Sequence, residues 1–418
     1  MTEQLLQFIW QFRYFNYAEL TTSGGESLQI IHPGNHNNNQ GPDFLNAKIK
    51  CGNTVLAGNI EVHIRASEWE AHGHSKDPNY QNVILHVVLR EDKKLNLPFP
   101  TLVLEERLSA LLLEKYDRMM QVQRFIPCEE HLPAIAPLII DSWKGRLFIE
   151  RLQDRATVIH CMLKENDHHW EESFWQLLAR NFGVPINSDA FERIAQTLPL
   201  RVLAKHRDRL LQLEALLMGQ AGLLDKEFNA DYPTMLQKEF RFLKKKYSLV
   251  EATIPVHFLR MRPANFPTLR LSQLASLVHQ SAHLFSRIRE ANDVKEILQL
   301  LTVSANDYWH YHYIFGEKCA FKEKKLGDQM ARNIILNSVI PMLYAYGWYN
   351  NTEAHKLKAI QWGAELVAEK NTITAGFEEA GIPNRTASDS QALIQLKHKY
   401  CDKKRCLECA IGNGILKI

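Results

Sequence analysis

The chain has little cysteine, little net charge and no long apolar run, and each absence excludes something. Seven cysteines in 418 residues fall far below the density of a secreted disulfide scaffold, so no disulfide framework is expected. A formal net charge of +3 gives the whole chain no pull toward nucleic acid or an anionic membrane, and any polyanion-binding surface has to be a local patch. The most apolar later stretch, residues 334–346, is interrupted by Pro341 and is shorter than the roughly 20 residues a bilayer crossing requires. The opening MTEQLLQFIWQF has no basic leader ahead of an apolar run and a small-residue cleavage site, so no secretory signal is read. A cytoplasmic protein without membrane contact is expected. What is present is ordinary for a globular protein: 45% hydrophobic and 23% charged residues, on a length that suits about two or three domains with a sizeable core.

Apolar Leu5, Phe8, Ile9, Phe12 and Phe15 recur three and four apart, which predicts an amphipathic helix over residues 3–16. A short strand in ESLQIIHPG is stopped by Pro33 and Gly34, and an Asn-rich loop follows over 35–40. Residues 44–50 and 54–64 alternate as paired strands around a turn at Cys51, Gly52 and Asn53. Residues 69–80 read as a polar, partly helical connection, and NVILHVVLR at 82–90 is the most strand-like run. From Leu104 the apolar period becomes that of helices and does not change back. The expected class is α+β: a small N-terminal mixed αβ sheet domain over 1–103, then a large all-helical domain over 104–418 that ends in a cysteine-rich segment.

Chemistry is concentrated in the first part. Six of the 18 histidines lie between His32 and His86, together with Asp43, Glu61 and Asp77. Burying an unpaired carboxylate costs several kcal/mol, so a cluster of this kind between apolar strand positions needs partners, a metal or water. Strand geometry sends Glu61 and His63 to one face, where a carboxylate and an imidazole share a cation. A two-residue Gly52-Asn53 turn would set Asp43 opposite Val62, whereas a three-residue turn or a bulge at Gly58 restores the match to Glu61; the bulge is expected. An oxygen-rich site with one histidine favours magnesium or manganese, and recruitment of His72, His74 or His86 would shift the preference toward zinc. The competing reading makes Asp43 a turn cap, Glu61 and His63 a solvated face, and His86 a hydrogen-bonded core residue.

GPDF, then eighteen positions from Asp43 to Glu61, then Val62-His63 resembles the core of the PD-(D/E)XK nuclease superfamily. The resemblance covers residues 1 to about 95 and implies a nuclease-like sheet domain in which Asp43 and Glu61 hold the metal. It implies that His63 stands where a water-positioning lysine is usual; a neutral imidazole orients water or binds metal but brings no fixed positive charge.

Cys401, Cys406 and Cys409 form a C-x4-C-x2-C run in YCDKKRCLECAIG, and thiolates so spaced converge on one soft metal ion. Cys128, beside Pro127 in a loop between helices, is the fourth ligand expected. Zinc is the first choice and an iron–sulfur cluster the second. One remote cysteine with three near the C-terminus also resembles the iron–sulfur clasp of some PD-(D/E)XK exonucleases, although there the lone cysteine precedes the core. Reduced, buried thiols are the alternative.

RMRPANFPTLR gathers Arg260, Arg262 and Arg270 around Asn265 and Phe266, a composition suited to gripping phosphates and stacking a base; the alternative is an arginine clamp between helices. Residues 397–405 add a basic patch beside the cysteines. GPDF, GNIEVH, the HGH at 72–74, VILHVV, RPANFPTLR and YCDKKRCLECAIG together resemble, over the whole chain, a bacterial family described only as a domain of unknown function. Two functions compete. One is a metal-dependent nuclease with Asp43, Glu61 and His63 as the catalytic set and nucleic acid as the partner. The other is a non-catalytic nucleic-acid-binding or scaffold protein with a degenerate nuclease-like core. A third, weaker reading is a zinc hydrolase acting through His63, His72, His74 and Asp77.

Overall fold

The computed structural model describes residues 1–37, 39–121, 123–250, 252 and 254–417. Helix α1 (Glu3–Phe12) precedes strands β1 (Leu28–His32), β2 (Asn35–His36), β3 (Phe44–Cys51) and β4 (Thr54–Arg65). A one-turn helix α2 (Glu68–Ala71), β5 (Val83–Arg90) and β6 (Thr101–Val103) follow. One mixed sheet holds the strands in the order β1-β3-β4-β5-β6, with β2 also on β3. β1, β2 and β4 run antiparallel to β3, whereas β4, β5 and β6 run parallel to one another. Burial explains the two sequence patterns. β3 alternates, with Phe44, Ala47, Ile49 and Cys51 buried and Lys48 and Lys50 exposed, as suits a half-solvated antiparallel strand. β5 is buried from Val83 to Leu89, as a strand covered on both faces must be.

Helix α1 begins on a Thr2 cap, whose side chain accepts from the Leu5 N–H at 3.2 Å, and ends at Arg13 in the left-handed region. Its apolar stripe of Leu5, Leu6, Phe8, Ile9 and Trp10 is buried, and it packs on β4. The expected helix, β3, β4 and β5 are thus present within a few residues of their predicted limits. Two details differ. Part of the expected Asn-rich loop pairs as β2, while Asn38 lies outside the described residues, and β6, hidden among prolines in LPFPTLV, was not anticipated.

Beyond β6 the named elements are helical, so the class is α+β as expected. The chain divides into two compact units, residues 1–143 with 379–382 and 396–418, and residues 144–378 with 383–395. The sheet ends at Val103, the predicted boundary, but its unit continues to Trp143 and takes in the cysteine-rich end. In the second unit, neighbouring helices pair: Trp170–Phe182 with Val184–Thr197, Leu210–Gln220 with Asp231–Tyr247, and Ile340–Tyr349 with Glu353–Glu365. Pro341 lies inside a continuous helical run from Asp328 to Tyr349, directly after a π-helical turn at Ile335–Val339, the kind of local break at which a proline's missing N–H is accommodated. Glu214 is fully buried there and accepts from Trp309 Nε1 at 3.0 Å, Asn306 Nδ2 at 2.8 Å and the Tyr232 hydroxyl.

Candidate functional site

The site is built on a register shift. Cys51 pairs with Thr54 across the Gly52-Asn53 turn and Ala47 with Gly58, yet Phe44 pairs with Ile60, so β3 carries one extra residue at Leu45-Asn46. Asn46 takes φ 58° to loop it out. The bulge therefore exists but lies on β3, a correction to its expected place at Gly58. Gly58 serves another purpose: a Cβ there would lie 2.5 Å from the Asn82 carbonyl oxygen and 2.5 Å from Ile84 Cγ2, so only glycine lets the start of β5 close on β4.

The shift seats Asp43 beside Glu61. The Asp43 N–H donates to Glu61 Oε2 at 3.1 Å, and the Val62 N–H donates to Asp43 Oδ2 at 3.0 Å. Gln7, from α1, donates to Asp43 Oδ1 at 2.8 Å. Glu61 and His63 share a face of β4, and both are buried. On β5, His86 stands opposite Glu61 in the parallel register, and its Nε2 lies 2.9 Å from His63 Nδ1.

The connection after β4 supplies two more imidazoles. Gly73, at φ 73°, turns the chain so that His72 and His74 point the same way. Trp69 Nε1 pins that turn by donating to Ser75 Oγ at 2.8 Å, and Tyr80 stacks on His74 with ring centroids 3.9 Å apart. The ligating nitrogens of His63, His72 and His74 lie within 4.8 Å of one another. Glu61 Oε1 is 3.5 Å from His63 Nε2 and 3.4 Å from His74 Nε2. These two nitrogens are buried without a hydrogen-bond partner, a condition that costs about 1–3 kcal/mol per group unless something fills it.

Electrostatics prepare the same groups for a cation. Burial pushes Glu61 upward, and the nearby Asp43 carboxylate pushes it further; burial likewise raises Asp43. Burial, with His86, His74 and His72 around it, pushes His63 down to about 3, and burial pushes His86 down to about 4. The two imidazoles are neutral at physiological pH, so their lone pairs are free to ligate. Glu61 with three imidazoles forms a donor set that suits zinc or manganese better than magnesium, and Asp43 stands beside it. Glu3, in the first turn of α1, adds a third negative charge felt by both acids.

Several predicted residues take other roles. Asp77 Oδ1 accepts from the Asn79 N–H and Asn79 Nδ2, each at 2.9 Å, and so caps a turn instead of reaching the cluster. Arg270 is buried, donating to Gln273 Oε1 at 3.0 Å and Asn265 Oδ1 at 2.6 Å, which corrects its predicted place among the phosphate-gripping groups. Asn265 is spent in that clamp, Phe266 is half-buried against Phe258, and Arg260 and Arg262 remain exposed. Cys128, Cys401, Cys406 and Cys409 line one cavity. Glu3, Gln7, Trp69 and Tyr80 escaped sequence reasoning; a residue forty positions from the cluster shows no sign of its neighbours until α1 docks.

A family model described as protein of unknown function (DUF2851) matches residues 3–372. No curated protein and no solved structure matches the chain.

Proposed function

The chain belongs to the DUF2851 family of proteins of unknown function, and we propose that it is a metal-dependent hydrolase of phosphodiesters whose centre is the Glu61, His63, His72 and His74 cluster. The observation that carries the reading is the approach of Glu61 Oε1 to His63 Nε2 and His74 Nε2, at 3.5 and 3.4 Å, with both nitrogens lacking any hydrogen bond. Support for a phosphodiester substrate comes from Asp43, just ahead of β3, and Glu61 on the neighbouring β4, with His63 two positions on. A divalent ion held by these side chains supplies Lewis acidity toward a phosphoryl oxygen and lowers the pKa of water.

The remaining groups act around it. His63 is a ligand in this reading, not a water-positioning base, because its Nδ1 is engaged by His86. Asp43, fixed by Gln7 and the Val62 N–H, takes the proton of the attacking water. The water oxygen bonds to phosphorus, the bond to the leaving oxygen breaks, and that oxygen is protonated from solvent. His72 is exposed and marks the side from which substrate reaches the cluster.

The test is cleavage of single- and double-stranded DNA and RNA with manganese, zinc or magnesium, comparing wild type with Glu61→Gln and His74→Ala. Cleavage with manganese or zinc, lost in both variants while circular dichroism is unchanged, is the expected result. Metal binding by wild type with no cleavage of any of the substrates would remove the enzyme and leave the binding or scaffold reading.

A further inference from the structure

We propose that Cys128, Cys401, Cys406 and Cys409 form a second metal centre, a four-thiolate site for a thiophilic metal, either zinc or an iron–sulfur cluster. The four residues come from two pieces of chain. Cys128 stands before the turn Glu129–Ala134, Cys401 closes the π-helical turn Leu396–Cys401, Cys406 opens the turn Cys406–Glu408, and Cys409 directly precedes helix Ala410–Lys417. All four line one cavity of about 10 Å³ together with Pro127, Tyr400, Arg405 and Gly412. That volume is on the scale of a single water, room for one metal ion and not for an organic ligand, and an iron–sulfur cluster would require the four thiols to part. Cys128, Cys406 and Cys409 are buried, and none of the four is in a disulfide.

Cys409 is the residue directly before helix Ala410–Lys417, which sets its thiol at that helix's N-terminus. Close packing makes this arrangement possible: a Cβ on Gly412 would lie 2.2 Å from the Cys406 carbonyl oxygen, so the start of the last helix can approach the thiols only with glycine there. A helix N-terminus stabilises negative sulfur. Four thiolates around a divalent ion carry net negative charge, which Lys397, Lys399, Lys403, Lys404 and Arg405 surround in sequence. The centre would close the chain from Cys128 to the C-terminal helix, a helix also held by the Tyr14 hydroxyl donating to Asn413 Oδ1 at 2.9 Å.

The experiment is metal analysis and absorption spectroscopy of the full-length protein, purified anaerobically without chelator, beside Cys406→Ser, Cys409→Ser, Cys161→Ser and His74→Ala. Expected is either about one zinc or a visible iron–sulfur absorbance per chain. The sulfur-ligated metal, told from any metal at the histidine cluster by its thiolate-to-metal absorption after cobalt substitution or by its iron–sulfur absorbance, should be lost in both Cys406→Ser and Cys409→Ser and retained in His74→Ala and in Cys161→Ser, whose exposed thiol lies outside the cavity. Should the serine variants not fold, titration of wild type with an organomercurial decides, because metal release must then follow modification of these thiols. Wild type without sulfur-ligated metal, or with a Cys406–Cys409 disulfide, overturns the proposal.

Discussion

Replacing His86 by leucine tests the centre through the residue that touches the proposed ligand His63. His86 and His63 are both fully buried, and His86 Nε2 lies 2.9 Å from His63 Nδ1. For His63 to offer the Nε2 lone pair toward Glu61 and His74, its proton must sit on Nδ1 and be accepted by His86. Leucine fills a similar volume and accepts nothing. His63 then either buries an unpaired N–H, at about 1–3 kcal/mol, or moves its proton to Nε2 and loses the donor pair. At about 1.4 kcal/mol per tenfold, the first route alone weakens binding roughly 5- to 150-fold, in line with the 10–100-fold typical of such orienting partners. His86→Gln, whose amide oxygen can accept, should lose less. The assay is competition with a chromophoric chelator for zinc and for manganese, with circular dichroism in excess chelator as the fold control. Leucine and glutamine variants that are folded and bind metal as tightly as wild type would refute the assigned tautomer and the orienting role.

Gly58→Ala should cost about 1–3 kcal/mol in urea unfolding, since its Cβ meets the Asn82 carbonyl and Ile84 at 2.5 Å, and it should weaken metal binding by parting the strands that carry Glu61 and His86. Unchanged stability would mean that β4 and β5 yield more easily than their contacts imply. Arg270→Ala should destabilise by about 1–3 kcal/mol by orphaning Asn265 and Gln273, whereas exposed Arg260→Ala and Arg262→Ala should stay within about 0.5 kcal/mol of wild type; an Arg270→Ala protein that melts like wild type would contradict the clamp. Burial raises Glu214 above its ordinary value near 4.5, so the folded chain holds this proton more tightly than the unfolded one. Its contribution is complete below about 4.5 and is lost as pH rises through the raised value. Glu214→Gln should therefore flatten the fall in stability above pH about 5, read from urea midpoints across pH, and an identical slope in variant and wild type would count against a raised Glu214.

Period-two and helical patterns were legible because they reflect which side chains leave water, and the opening helix, the β3–β4 hairpin and β5 follow from them. The place of the register shift was not legible. It turns on one looped-out residue at Leu45-Asn46, and asparagine's tolerance of the left-handed region permits a bulge without requiring one. The direction of a long side chain was equally hidden: RMRPANFPTLR has the composition of a phosphate grip, yet the helix starting at Pro267 turns Arg270 inward. Glu61 on β4 and Asp43 just ahead of β3, read with one histidine, suggest magnesium or manganese, whereas folding brings three imidazoles to one point, a donor set that would favour zinc.

Parallel pairing explains why those imidazoles arrive where they do. A hairpin reverses direction with two residues, as at Gly52-Asn53, but β4 and β5 run the same way, so the chain must return over one face of the sheet before β5 can start. The return path holds residues 66–82, and with it α2, Trp69, His72, His74 and Tyr80. Glu61, His63 and His86 lie beneath that path, on the buried face that the crossover covers. The crossover therefore does two things at once. It covers Glu61, which is buried, and delivers His72 and His74 above it, with Gly73 setting their convergence. A shortened return between β4 and β5 would keep the strands but lose both imidazoles, so the cluster follows from the topology as much as from the residues that compose it.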